Sequence, residues 1–174
     1  MRYARRITED GWFGREKLDA DSISELGTTN HELSVWKISD ETDSILIDNI
    51  ALAIALTRSK VEEFYMVLID VNDIKEITKW SIETIPQDGN TRYSYMKGEH
   101  TNFVVMSLWE QGFLSEYIHD KIKDEENYRY YDAAKLKKMA YDAVKNGKLS
   151  IEEIKDSPWK KAVKEMEGIY GQIP

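Results

Sequence analysis

The run FYMVLI, Phe64 to Ile69, places six apolar residues in succession. A half-exposed strand would alternate such residues with polar ones, so these six fit a central strand covered on both faces. A strand of that kind needs apolar layers above and below it, and the segment just before it supplies one. ILIDNIALAIALTRSK, Ile45 to Lys60, reads as a helix whose apolar residues occupy nearly its whole circumference. That distribution marks a buried helix. The loop SDETDS ahead of it offers N-cap candidates, and LSVWKI (Leu33 to Ile38) reads as a further strand.

WSIETI and RYSYM each alternate apolar and polar residues and flank PQDGNT. Its Asp88-Gly89 pair readily takes positive φ, so a β-hairpin is expected over about residues 79–97. FVVMSL is either a strand or the start of a helix. FLSEYIHDKI then puts Phe113, Leu114, Tyr117, Ile118 and Ile122 on one helical face. Near the N-terminus, DADSISEL suggests a short helix capped by Asp21 and ended by Gly27.

The last fifty residues are more regular. Leu136, Met139, Ala140, Ala143 and Val144 follow an amphipathic helical spacing. Trp159, Ala162, Val163 and Met166 repeat its shorter form behind Ser157 as N-cap and Pro158 at the first helical position. NYRYYD (Asn127 to Asp132) is read as anchoring the first of these helices, and KDEEN (Lys123 to Asn127) as the hinge before it. The expected architecture is therefore α+β. It has a small mixed or antiparallel sheet with a hairpin and a buried helix over residues 1–123. A helical C-terminal segment over 128–174 stands apart or packs on the body as one domain.

At 174 residues the chain is long enough for one domain with a real core. It has no cysteine, which excludes disulfides, thiolate zinc sites and thiol nucleophiles. Its longest apolar run, IALAIAL, is too short to span a membrane. MRYARRITEDGW has no apolar stretch behind its basic residues, so no secretory signal is read there. A cytoplasmic protein is the expectation.

The formal net charge of −8 is uneven: residues 1–119 carry 12 basic and 21 acidic side chains, and residues 120–174 carry 12 and 11. An acidic body, with clustered acids such as Asp40, Glu41 and Asp43, suits a basic protein partner. The leading expectation is thus a non-enzymatic interaction protein of inhibitor, immunity or accessory type. Nucleic acid is not the expected partner. The C-terminal cations are nearly all lysines on solvated faces, without the Arg, Asn or Gln cluster that reads base edges. A DNA-associated regulator acting through those lysines ranks third.

Two local patterns suggest chemistry. DAVKNGKLSIEE lays Asp142, Asn146 and Glu153 on positions 1, 5 and 12 of a calcium loop, but Val144 takes position 3, where an oxygen ligand belongs. The same residues make a helix–turn–helix without remainder, with Gly147 ending one helix and Ser150 with Glu153 boxing the next. The turn is preferred, and no metal site or cofactor is expected.

The second pattern is GTTNHE, Gly27 to Glu32, before the strand LSVWKI. If this loop met His100, then Thr28, Thr29, Asn30 and His31 would join it in one pocket. Arg92 or Arg5 could serve there as an anion clamp. Such a set suits a nucleotide-like or other phosphorylated small molecule, with His31 or His100 as acid or base. The plain alternative is a turn whose polar side chains satisfy backbone groups. Glu116 and His119, at i and i+3, match one carboxylate–imidazole pair of a bundle metal site, but no second pair exists, and His119 is read as a surface residue. No phosphate-binding glycine loop, nucleophile elbow or zinc-protease motif occurs.

Overall fold

The computed structural model describes residues 1–28, 30–40, 43–105 and 107–173, with residues 9 and 10 described by backbone alone. Six strands form one antiparallel sheet: β1 (Arg2–Ile7), β2 (Glu32–Ile38), β3 (Phe64–Asp70), β4 (Thr84–Pro86), β5 (His100–Val104) and β6 (Tyr128–Tyr131). Their order is β4-β5-β2-β1-β3-β6. Interspersed are helices α1 (Glu9–Trp12), α2 (Ala20–Glu25), α3 (Ser44–Ala55), α4 (Val71–Thr78), α5 (Leu108–Lys121), α6 (Ala133–Lys145) and α7 (Pro158–Tyr170). The chain is α+β.

β3 has the two-sided burial that its apolar run requires. Met66 and Leu68 enter a core with Ala4, Trp36 and the apolar faces of α3, α6 and α7. Val67 and Ile69 enter a second core with Tyr3, Ile7, Phe103 and residues of α4 and α5. Alternate residues of one strand thus anchor two helical layers. α3 starts where Asp43 accepts hydrogen bonds from the Ile45 and Leu46 amides at 2.9 and 3.1 Å. Every residue from Ile50 to Ala55 is buried. The helix stops at Ala55, short of Lys60, its end tightened by i→i−3 bonds from the Thr57 and Arg58 amides to the Ile54 and Ala55 carbonyls.

Several local assignments differ from the sequence reading. β4 does pair with the next strand, but its partner is β5, with Ile85 opposite Asn102. RYSYM instead enters a 3-10 turn over Ser94–Glu99. Tyr93 and Met96, three residues apart, both reach the core, a spacing that a turn satisfies and a strand does not. FVVMSL is divided: its start completes β5, and α5 begins after a capping box between Ser107 and Glu110. Asp19 rather than Asp21 caps α2. NYRYYD forms the edge strand β6 before Asp132 caps α6. His119 is buried rather than exposed, with Nε2 3.2 Å from the Arg15 carbonyl.

The C-terminal pair packs on the face that holds α3, and Trp159 is fully buried there. The turn between α6 and α7 keeps the expected Gly147, Ser150 and Glu153 roles, but the capping box opens a short 3-10 helix (Ile151–Ile154). Ser157 precedes α7 without a side-chain cap bond. Gly147 lies at φ 68°, and Ser150 and Glu153 make both bonds of a capping box. Glu153 also accepts from the Ser94 amide at 3.1 Å, which ties this turn to the sheet side of the molecule. Among the described residues no helix is long and apolar enough to cross a membrane.

Candidate functional site

β1 is a central strand, yet its ladder with β2 covers only Arg2, Tyr3 and Ala4, opposite Ile38, Lys37 and Trp36. β1 continues to Ile7 against β3, and β2 extends back to Glu32 against β5. The two strands therefore part after the Ala4–Trp36 pair, and the sheet is split at its centre. Backbone groups freed by such a split need other partners. Arg5 supplies one: its guanidinium donates to the Ser34 carbonyl at 2.6 Å and to the Glu25 carbonyl at 3.1 Å. Its Nε is buried with no partner. Burial drives this guanidinium down to about 10, although the nearby Glu25 carboxylate acts in the opposite sense.

Glu25 is held in turn by its surroundings. Its carboxylate accepts from the Thr8 amide and hydroxyl, both at 2.9 Å, and from Trp12 Nε1 at 2.6 Å.

The split opens into two hollows of about 250 and 760 Å³ that share Arg5, Ser34, Trp36 and Thr57. Arg6 and Arg58 join Arg5 in lining the smaller one. Burial, and then the positive charge of Arg58, push the Arg6 guanidinium below its ordinary value, with Glu25 and Glu62 opposing. Among the described residues, no carboxylate pairs with Arg6 or Arg58 at salt-bridge distance. Arg92 supports this arrangement from behind. It donates to the Leu56 and Arg58 carbonyls at 3.0 Å each and so pins the turn that presents Thr57 and Arg58.

The larger hollow continues over β2 and β5. Ser34 Oγ lies 2.6 Å from His100 Nε2, and His100 Nδ1 lies 3.0 Å from the Gln87 carbonyl. A carbonyl can only accept, so Nδ1 carries the proton, Nε2 presents its lone pair and the Ser34 hydroxyl donates to it. Burial lowers the His100 pKa, against the Gln87 bond and the charge of Asp88. Trp36 meets the His100 ring edge-on at 5.1 Å. Gly89 lies so close that a Cβ there would sit 2.8 Å from Trp36 Cη2 and 3.1 Å from His100 Cβ.

Further along, Glu32 accepts from Asn102 at 2.6 Å and from Gln87 at 3.0 Å. The cleft thus gathers three arginines and the Glu25 carboxylate at the split and carries the carboxylates of Glu32 and Asp88 at its other end.

The GTTNHE stretch is a turn that also contributes to this cleft. Asn30 and His31 both adopt left-handed backbone, at φ 55° and 63°, as the chain enters β2. Gly27, Asn30 and Glu32 line the larger hollow. The exposed His31 lies beside Val105, whose amide donates to the His31 carbonyl at 2.8 Å. His100 is opposite Trp36, five residues along from His31, so the two histidines lie at opposite ends of the β2–β5 ladder, about 17 Å of strand apart. They share no pocket. Thr28 is half-buried outside the cleft lining, Thr29 and Glu41 lie outside the described residues, and Arg92 bonds backbone rather than facing the cleft.

The calcium-loop residues are otherwise engaged: Asp142 pairs with Lys138 at 2.5 Å, Asn146 ends α6, and Glu153 serves the capping box. Lys135 and Lys137 likewise pair with Asp48 and Glu165. Sequence reasoning missed Arg6, Arg58 and Ser34. The only signal was the Arg5-Arg6 doublet inside the otherwise strand-compatible YARRI. Compared with protein-family models, curated proteins and solved structures, the chain matches none.

Proposed function

We propose that the chain binds a phosphorylated small molecule in the cleft at the β1–β2 split. Its phosphate would lie against the arginines, and its hydroxyl-bearing part would lie toward Glu32, Gln87 and Asn102. The observation that carries this reading is the convergence of Arg5, Arg6 and Arg58 in a chain of net charge −8. Arg5 and Arg6 are partly buried and Arg58 is exposed. The single carboxylate of Glu25 in the same hollow leaves an excess of positive charge for an anion, whose phosphate oxygens guanidinium matches in pairs. The carboxylate and amides at the far end suit a sugar or nucleoside, whose hydroxyls donate to Glu32 and accept from the second N–H of Gln87, both Asn102 amide hydrogens being given to Glu32 and Gln87.

The test is calorimetric titration with inorganic phosphate, ribose 5-phosphate and adenosine monophosphate, with ribose as the control. A phosphate ester should bind while ribose does not. Arg6→Gln and Arg58→Gln should each raise Kd about tenfold or more, the loss of one charge-assisted hydrogen bond. Absence of binding at millimolar ester, or unchanged binding by both variants, would refute the proposal.

A second reading rests on another surface. Leu108 and Trp109 open α5 with 86% and 59% of their surface exposed. Trp109 also rests edge-on to Trp80 and stacks on Phe113. An aromatic patch on a body that carries the chain's acidic excess suits a basic protein partner. If so, a basic protein cross-linked to the native chain should be lost with Trp109→Ser and at raised salt. Capture indifferent to both would remove this reading.

A further inference from the structure

We propose that Ser34 is a nucleophile with His100 as its general base, so that the cleft hydrolyses the phosphate monoester it binds. This rests on the phosphate-binding reading and adds a reaction to it. The hydroxyl is 2.6 Å from a ring nitrogen that the Gln87 carbonyl leaves unprotonated. That is a nucleophile, a base and an orienting acceptor in sequence, all within hydrogen-bond reach. The ring is fixed on its remaining sides, edge-on to Trp36 and in close contact with Gly89. Burial favours its neutral form, the one able to take a proton.

Ser34 is also placed where a phosphoryl group would arrive. It is exposed in the hollow lined by Arg5, Arg6 and Arg58, and its own carbonyl is held by Arg5. A Ser–His pair serving only to satisfy two polar groups would need no cations around the hydroxyl. Here the arginines line the same hollow as the hydroxyl, where they would neutralise charge on the non-bridging phosphoryl oxygens.

In the first step Ser34 Oγ bonds to phosphorus and its proton passes to His100 Nε2. The ester P–O bond breaks in line, and the leaving oxygen departs with the electron pair and takes a proton from water. In the second step a water oxygen attacks the phosphoseryl group. The Oγ–P bond breaks, Oγ takes back the proton held on His100 Nε2, and the proton lost by the attacking water neutralises the hydroxide left by the first step. The net change is ester plus water to alcohol plus inorganic phosphate.

The experiment pairs hydrolysis of p-nitrophenyl phosphate and ribose 5-phosphate with calorimetric binding of inorganic phosphate. The full chain is compared with Ser34→Ala, His100→Gln and Arg6→Gln. Phosphate release by the native chain is expected. It should fall about a hundredfold or more in Ser34→Ala with phosphate binding retained, and also fall in His100→Gln. Brief acid quench should trap a phosphoryl group on Ser34, seen by mass spectrometry of the peptide. Binding without phosphate release, or release unchanged in Ser34→Ala, would overturn the reaction and leave the binding proposal standing. Neither binding nor release would overturn both.

Discussion

Gly89 offers a test of whether the cleft is as closely packed as the geometry shows. Gly89→Ala would place a carbon 2.8 Å from Trp36 Cη2, 3.1 Å from His100 Cβ and 3.2 Å from its Cγ. Carbon atoms pack at about 3.5–4.0 Å, so at least two buried rings must shift by several tenths of an ångström. Both rings are largely covered, Trp36 at 4% and His100 at 9% exposure, so a shift must break packing on at least one side even though each borders the cleft. Overpacking of this kind costs about 1–3 kcal/mol. For a domain of this size each kcal/mol lowers Tm by roughly 2–4 °C. Gly98→Ala is the internal control, since a Cβ there meets nothing within 4 Å. It should be neutral or stabilising by up to about 1 kcal/mol. Urea unfolding followed by circular dichroism gives both values on one scale. If Gly89→Ala were as stable as Gly98→Ala, the close approach of Gly89 to both rings would be wrong, and with it the fixed orientation of His100.

Two further outcomes follow from the groups around the split. Glu25→Ala should cost about 1–3 kcal/mol in urea unfolding, because it leaves the Trp12 indole N–H, within a side chain 1% exposed, without its acceptor; a loss below about 0.5 kcal/mol would show that this carboxylate does not organise the β1–α1 corner. His100 has a pKa depressed below its unfolded value of 6.5, so the unfolded chain binds the proton more readily: its stabilising contribution is complete above pH 6.5 and is lost as pH falls from there through the folded pKa. The stability difference between the native chain and His100→Gln should therefore narrow on going from about pH 7.5 to 5, and a constant difference would mean that the imidazole is not held neutral.

What was legible in the sequence is what local periodicity encodes. FYMVLI could be placed as a two-sided strand because an apolar run of only six residues, bounded by polar ones, has the length of a strand rather than of a helix. The α6–α7 turn could be placed because Gly147, Ser150 and Glu153 each have a capping role. β1 could not be read this way: RYARRI puts three arginines in six residues and has no alternation to detect. β5 was hidden for the opposite reason. HTNFV buries His100, Thr101 and Asn102, three polar residues whose burial depends on a ladder to β2, which lies some seventy residues earlier. RYSYM alternates better and won the hairpin on local evidence, although its Tyr93 and Met96 enter the core from a turn.

The site divided along the same line. His100 drew notice as a titratable residue in polar surroundings, but Ser34 was one polar position in a strand. Which side chain meets it is decided by the strand order, a property that no local window contains. Asn30 and Glu32 belong to the polar stretch and line the cleft, whereas His31, the more conspicuous neighbour between them, is exposed outside its lining.

The split itself has an energetic meaning. A central strand flanked by partners on both sides is the place where an apolar residue stabilises a sheet most, and where a cation costs most. Lowering the Arg5 guanidinium to about 10 corresponds to roughly 3 kcal/mol of preference against its charged form, yet at neutral pH it remains charged. The β1–β2 ladder is given up beyond Ala4, a second arginine follows at once, and a third approaches from the turn after α3. Replacing buried ionic groups by apolar ones is commonly neutral or stabilising, so stability alone does not account for two partly buried arginines, with the exposed Arg58 beside them, at one break in the sheet. Departures from local folding rules concentrate where a protein does its chemistry. The binding of an anion is the simplest process that turns this costly arrangement into a favourable one, because the same desolvation that penalises the empty cations strengthens their attraction to a phosphate.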